Sequence, residues 1–369
     1  MVEWKLLGEV CEILDSQRRP VSKGERNQGV YPYYGANGIQ DYVDSYIFDG
    51  TFLLLGEDGS VINKDKSPVL NWAEGKIWVN NHAHILKENK KALLRYLYYS
   101  LQCIDVSDIV RGVPPKINQA NMRTIPLPIP SLSEQNRIVG ILDTFTSCIE
   151  NLKKQISERR KQYEYYRDQL LDLEGKEGVE IKIVNEVFDT RNGYTPSTNN
   201  PEFWDNGTLP WFKMEDIRDN GRILNDSILH ITPKAIKGKG LFKANSIILA
   251  TSATIGEHAL ITVDHLSNQR FTNFYPNKKM EDRINMKYVY YYMFKIDEWC
   301  KQHVNQGGFA SVDMSGLYGL SFPIPTLEEQ SRIVSILDTF EESIQNLEAQ
   351  LKLREKQYEY YRNKLLTFE

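Results

Sequence analysis

Apolar residues in two stretches of the chain recur with an unbroken alternation of four and three. The first stretch places them at Ile138, Leu142, Phe145, Ile149, Leu152 and Ile156, puts Arg159 at the next step, and resumes at Tyr163, Tyr166, Leu170 and Leu173. The second repeats the scheme at Ile333, Leu337, Phe340, Ile344, Leu347 and Leu351, then Arg354, then Tyr358, Tyr361, Leu365 and Phe368. A sustained period of about 3.5 residues predicts a narrow coiled-coil seam rather than the broad stripe of a helix laid on a domain. Each stretch has a start signal. Ser131-Leu132-Ser133-Glu134 and Thr326-Leu327-Glu328-Glu329 fit capping boxes, in which the hydroxyl caps an amide and the Glu reaches back to the cap. Proline just before each box keeps the upstream residue out of helix. The pattern predicts helices over 131–174 and 326–369.

These stretches are copies of each other. Residues 128–174 align with 323–369 without a gap, and 29 of the 47 pairs are identical. Each copy is therefore the other's obvious partner. A helix of this length spans roughly 65 Å, whereas the intervening domain is only about 40 Å across by size scaling. A parallel pair would need that domain to carry the chain back along the whole rod. An antiparallel pair needs only a turn at one end, and is the expected arrangement. Arg159 and Arg354 at matching steps read as register devices or snorkelling side chains, with partner docking as the alternative.

The remaining sequence divides into residues 1–130 and 175–325. Both segments show short apolar runs between Gly, Asn and Asp turns, such as Thr51 to Leu55 before Gly56, and Ser246 to Ala250 before Thr251. A tyrosine-rich helical pattern follows in each, Arg95 to Tyr99 and Lys287 to Tyr291, whose rings suit core packing better than base stacking. This predicts the α+β class: two α+β domains separated by a long antiparallel two-helix coiled coil, with a pseudo-two-fold internal repeat. Between the shared landmarks the domains diverge, as two readers of different targets would.

Charge sharpens the picture. The chain carries 45 basic and 49 acidic residues. The two helices hold 13 and 17 of these, which leaves 32 of each sign elsewhere. A stand-alone DNA binder is usually basic, so phosphate neutralisation here would have to be local or come from a partner. Cys11, Cys103, Cys148 and Cys300 form no Cys-x-x-Cys pair, which fits a reducing cytoplasm and offers no zinc framework. The sequence has no apolar run long enough for a membrane span, and Met1 to Lys5 do not read as a signal peptide. A cytoplasmic protein is expected.

The Pro-Ile-Pro entry to each helix, the Glu-Gln-x-Arg-Ile-Val and Leu-Asp-Thr-Phe runs, Tyr33-Tyr34-Gly35-Ala36-Asn37-Gly38-Ile39 and Gly193-Tyr194-Thr195-Pro196-Ser197 resemble specificity subunits of type I restriction–modification systems. The resemblance covers the full length in order. It implies that each target-recognition domain reads one half of a bipartite, asymmetric duplex DNA site, and that the coil sets the spacer. It further implies two docked adenine methyltransferase subunits, with restriction subunits joining them. S-adenosylmethionine would then belong to the methyltransferase, and no cofactor to this chain. The residues agree on the last point. Pro114-Pro115 is followed by Lys116-Ile117 rather than an aromatic residue, and neither a Walker motif nor a glycine-rich cofactor loop is present. No catalytic residue is predicted. His82-x-His84 suits a metal on a strand, but no further ligands suggest themselves, so no metal is expected.

Side chains suited to bases and phosphates lie in polar turns. In the first domain the candidates are Asn37, Lys64, Lys66, Asn81, His82, Arg111 and Lys116. In the second they are Arg191, Asn192, Lys213, Arg218, Thr251, Ser252, Asn268, Gln269, Arg270 and Gln306. The competing reading is a structural adaptor holding two protein ligands apart, which the balanced charge favours.

Overall fold

The computed structural model describes residues 2–305 and 310–368. The chain forms two compact units, residues 1–155 with 347–369, and residues 156–346. Both mix helices and sheets, and the boundary cuts through both long helices, which run Leu132–Leu170 and Leu327–Leu366. Among the described residues no helix is long and apolar enough to cross a membrane.

Unit one is built on a six-stranded sheet, in the order Cys11–Ile13, Ala83–Glu88, Phe48–Gly56, Leu70–Val79, Gln28–Gly35, Gly38–Val43. The run Phe52 to Leu55 reads as continuously apolar because both faces of its strand are covered. Leu53 and Leu55 pack toward the helix Leu94–Leu101, while Phe52 and Leu54 fill a second core with Tyr34, Ile77 and Ile85. Unit two has a five-stranded sheet in the order Phe188–Asn192, Phe271–Pro276, Ser246–Ala250, His258–Ile261, Ile223–Leu224, with a three-stranded sheet beside it. The helix Met286–Gln302 covers one face and Met214–Asn220 the other. The tyrosines of both predicted helices are core residues. Tyr96, Tyr99, Tyr288 and Tyr291 have no exposed surface.

The duplication extends to how each domain holds its helix. A two-stranded ribbon leads into each, pairing Trp4 with Pro128 in unit one and Ile181 with Pro323 in unit two. Buried Gln135 accepts from Leu93 N and donates to Lys91 O and Pro130 O. Gln330 does the same with Asn285 N, Arg283 O and Pro325 O. Tyr99 and Arg95 both donate to Asp143, as Tyr291 and Lys287 do to Asp338.

The helices depart from expectation in three respects. The hydroxyls of Ser131 and Thr326 cap Glu134 N and Glu329 N at 3.3 Å, but the reciprocal half of each capping box is replaced. Glu134 and Glu329 instead make bidentate bonds to Arg137 and Arg332 one turn on, a charge-assisted alternative that outcompetes a neutral amide. Helix one stops at Leu170, and Leu173 packs into the core of unit two rather than continuing a helical seam. The seam residues also divide their work. Ile138 and Leu142 enter the unit-one core together with Leu366, and Ile333 and Leu337 enter that of unit two. Ile149, Leu152 and Ile156 are buried; Ile344, Leu347 and Leu351 are half-buried. Tyr166 and Tyr361, placed in the seam by spacing, remain 47% and 41% exposed and stack from the side on Phe340 and Phe145. Arg159 and Arg354 lie over the same two rings. Tyr163 and Tyr358 are half-buried and donate to Glu341 and Gln102.

Candidate nucleic-acid interface

In unit one, long-range bonds bring three polar turns together. The Glu57 amide donates to His82 O, and Glu57 O accepts from Ile117 N, both at 2.8 Å. The Glu57 carboxylate takes Arg18 and Lys116 as partners. Arg18 also donates to the carbonyls of Asn81 and Ala83, so one guanidinium spans the turn that carries Asn81 and His82. Behind it, buried His84 donates through Nε2 to Ile117 O at 2.8 Å, and its Nδ1 lies 2.6 Å from the Asp15 carboxylate. Asn81, His82, Arg111 and Lys116 are thereby collected on one surface. His82 pairs with Asp58, and the Arg111 backbone bridges to that of Lys116.

The other unit-one candidates are placed separately. Asn37 is the exposed tip of the hairpin between Gln28–Gly35 and Gly38–Val43. Lys64 and Lys66 lie exposed on another turn, where Lys66 pairs with Asp105 at 3.4 Å.

Asp15, Glu57 and His84 have ligand atoms within 4.8 Å of one another. The set does not suit a metal. Nε2 of His84 carries a proton toward a carbonyl, Nδ1 faces Asp15, and Arg18 and Lys116 already supply two positive charges. Burial works to raise the Asp15 carboxyl, but bonds from His84, Ile85 N and Gln119 outweigh it and hold it below its ordinary value. Glu57 is lowered in the same way, with burial opposed by Arg18 and Lys116. A depressed folded-state pKa gives stability that is present above the ordinary carboxylate range and lost as pH falls through the lowered values. Unit one is therefore expected to lose stability in acid, below about pH 4. Urea midpoints across that range check this. Asp15→Asn should be weaker at neutral pH and show a flatter acid profile; an unchanged profile would remove the network from the account.

In unit two, Lys213, Arg218, Thr254, Asn268 and Arg270 line a cavity of about 260 Å³ at one end of the sheet. Asn268 is well anchored: its amide donates to Phe212 O, and its side-chain oxygen accepts from Arg270 N at 3.0 Å. Gln269 accepts from Thr195. Gly193 explains the glycine of its motif, because a Cβ there would meet the carbonyl oxygens of Ser267 and Asn268 at 2.2 and 2.4 Å. Asn192 joins this end through Thr272, which also bonds Thr251. Ser252 pairs with Ser311.

Arg191 departs from this cluster. Neighbouring strand residues point to opposite faces, and Arg191 lies over Phe242 at 3.8 Å while donating to Gly240 O. It lines a different, larger groove of about 1120 Å³ near Lys239 and Lys278. Gln306 lies outside the described residues. Arg18, Glu57 and Gln40 are polar groups at the unit-one surface that spacing did not point to, since their partners are distant in sequence or, for Gln40, set by an irregularity in strand pairing.

The two units thus carry unlike polar clusters on mixed α/β scaffolds. The family model for the type I restriction modification DNA specificity domain matches residues 1–159 and 176–354, and the chain belongs to that family. A putative type I restriction enzyme specificity subunit of Haemophilus influenzae is 34% identical over 383 aligned positions, spanning 100% of this chain and 96% of the relative. The EcoprrI type I restriction enzyme specificity subunit of Escherichia coli is 47% identical over 216 residues, 55% of this chain and 53% of the relative. The crystal structure of a type I restriction–modification S subunit from M. genitalium shares the fold, with a TM-score of 0.64 at 13% identity, covering 100% of this chain and 97% of that one.

Proposed function

We propose that this chain is the DNA-reading, non-catalytic subunit of a type I restriction–modification complex, each unit reading one half of a bipartite asymmetric duplex site. The observation that carries this is the repeated clamp. Gln135 and Gln330, and Asp143 and Asp338, fasten two domains to equivalent helical positions, while the polar ends of those domains differ. Sameness at the clamp and difference at the reading end suit one recognition geometry applied to two sequences.

The long helices act as an antiparallel coiled coil that sets the spacer. In support, Phe145 stacks on Tyr361 and Lys153 pairs with Glu355, so contacts descend one helix as they ascend the other. In unit two Tyr166 stacks on Phe340 while Tyr163 donates to Glu341, in the same sense. Two adenine methyltransferase subunits dock on the pseudo-equivalent halves, bring S-adenosylmethionine and much of the positive charge this chain lacks, and are joined by restriction subunits. The complex works in the cytoplasm.

Co-purification with subunit counting, followed by methylation mapping, tests the assembly. About two methyltransferase copies per chain and a split methylated motif are expected. Recovery of partners unrelated to DNA would favour an adaptor. One heptad inserted at matching places in both helices adds roughly 10.5 Å and should lengthen the tolerated gap by about three base pairs at roughly 3.4 Å each. An unchanged gap would show that the coil is not the ruler.

A further inference from the structure

Gln40 occupies an unusual position in unit one. Tyr33 pairs with Asp41 and Tyr34 with Ile39, so Gln40 is the extra residue of a β-bulge. Bulges re-aim a side chain out of the regular alternation. Here the side chain is laid across Gly35: a Cβ on that glycine would fall 2.1 Å from Gln40 Nε2 and 2.4 Å from its Cδ. Any larger residue at position 35 would displace the amide.

The amide is also oriented. The His82 amide donates to Asn80 Oδ1 at 2.8 Å, which obliges Asn80 Nδ2 to be the donor on the other side. That nitrogen reaches Gln40 Oε1 at 3.3 Å. Asn80 is buried and fixed through its own amide to Tyr34 O. Gln40 is itself exposed and lines a cavity of about 420 Å³ with Arg26, Tyr33, Asn81 and His82. Its oxygen is turned inward to Asn80, and its Nε2 hydrogens are the group left to meet a ligand.

We infer that Gln40 is a specificity-determining residue of unit one, presenting amide hydrogens to a hydrogen-bond acceptor on a base edge. This rests on the DNA-reading role proposed above. In the major groove such a donor suits guanine N7 and O6, adenine N7 or thymine O4, and meets the N4 amino group of cytosine donor to donor. Ordering by Asn80 and Gly35 means that little side-chain freedom is lost when DNA binds.

Gln40→Glu tests the inference with little change of shape. The substituted carboxylate still accepts from Asn80, but turns an acceptor outward. Motifs should be compared for the full chain assembled with its methyltransferase on duplexes randomised in both half-sites. The expected result is a change at one position of the unit-one half, toward a base that offers an amino group, by roughly tenfold to hundredfold. The unit-two half should be unchanged. Gly35→Ala should erase discrimination at that same position without creating a new preference. A Gln40→Glu complex with an unaltered motif, or one weakened equally on all sequences, overturns the assignment. Absence of any sequence preference in the unsubstituted complex would instead overturn the DNA-reading role itself.

Discussion

Replacing Gln330 with leucine is expected to cost unit two about 3–5 kcal/mol, and Gln135→Leu to cost unit one a similar amount. Each glutamine has no exposed surface and satisfies three backbone groups at the junction of ribbon, domain and helix. Leucine fills the volume but leaves one amide and two carbonyls without their glutamine partner, the Pro130 or Pro325 carbonyl in a buried place and the other two groups in partly buried ones. Each buried unmet group costs roughly 1–3 kcal/mol, partly recovered by relaxation. For a protein stable by about 5–15 kcal/mol, that is a large fraction. Urea unfolding of each single variant measures it. The two losses should agree closely, because both clamps use the same atoms. A loss below about 1 kcal/mol in either unit would mean that the clamp is not what fastens the helix.

The largest effect on DNA is expected from Lys213, Arg218 and Arg270. These side chains line one small cavity beside Asn268, where three positive charges outnumber the one carboxylate, Glu215, which lies 3.9 Å from Lys213, and the net positive charge favours a phosphate. Changing all three to glutamine should reduce the slope of log affinity against log salt by about 0.9 for each lost phosphate contact. At about 0.15 M salt this amounts to an affinity loss on the order of a hundredfold, uniform across sequences. Arg191→Gln serves as the contrast. Its guanidinium is stacked on Phe242 in the other groove, and its replacement should leave the slope unchanged. Titrations of the assembled complex with specific and unrelated duplexes at several salt concentrations decide the matter. An equal response to Arg191→Gln and the triple variant would remove the cavity as the phosphate site.

These two predictions differ in how far the sequence anticipates them. Gln135 and Gln330 lie in the duplicated stretch and were visible as repeated residues, but nothing in their spacing says that they face a domain. Lys213, Arg218, Asn268 and Arg270 are candidates one by one for their chemistry, and only folding brings them to line one cavity. Arg191 and Asn192 are adjacent candidates in the sequence. The strand Phe188–Asn192 parts them, since successive side chains leave a sheet in opposite directions. Lys116 is a candidate because it lies in a polar turn, and the fold pairs it with Glu57, fifty-nine positions away. Part of the basic charge of the domains is likewise held in internal ion pairs, such as Arg18 with Glu57 and Arg222 with Asp297.

The sequence by itself determined the two long helices and their duplication, because a helix writes its contacts into a short period that local spacing preserves. It also determined the mixed character of the domains and the capping hydroxyls at Ser131 and Thr326. The tertiary structure alone decided which polar residues share a surface. Gln40 is aimed by a bulge, by Gly35 five positions before it and by Asn80 forty positions after it. Such contacts join residues whose separation follows no period, and only the closed sheet brings them within hydrogen-bond reach.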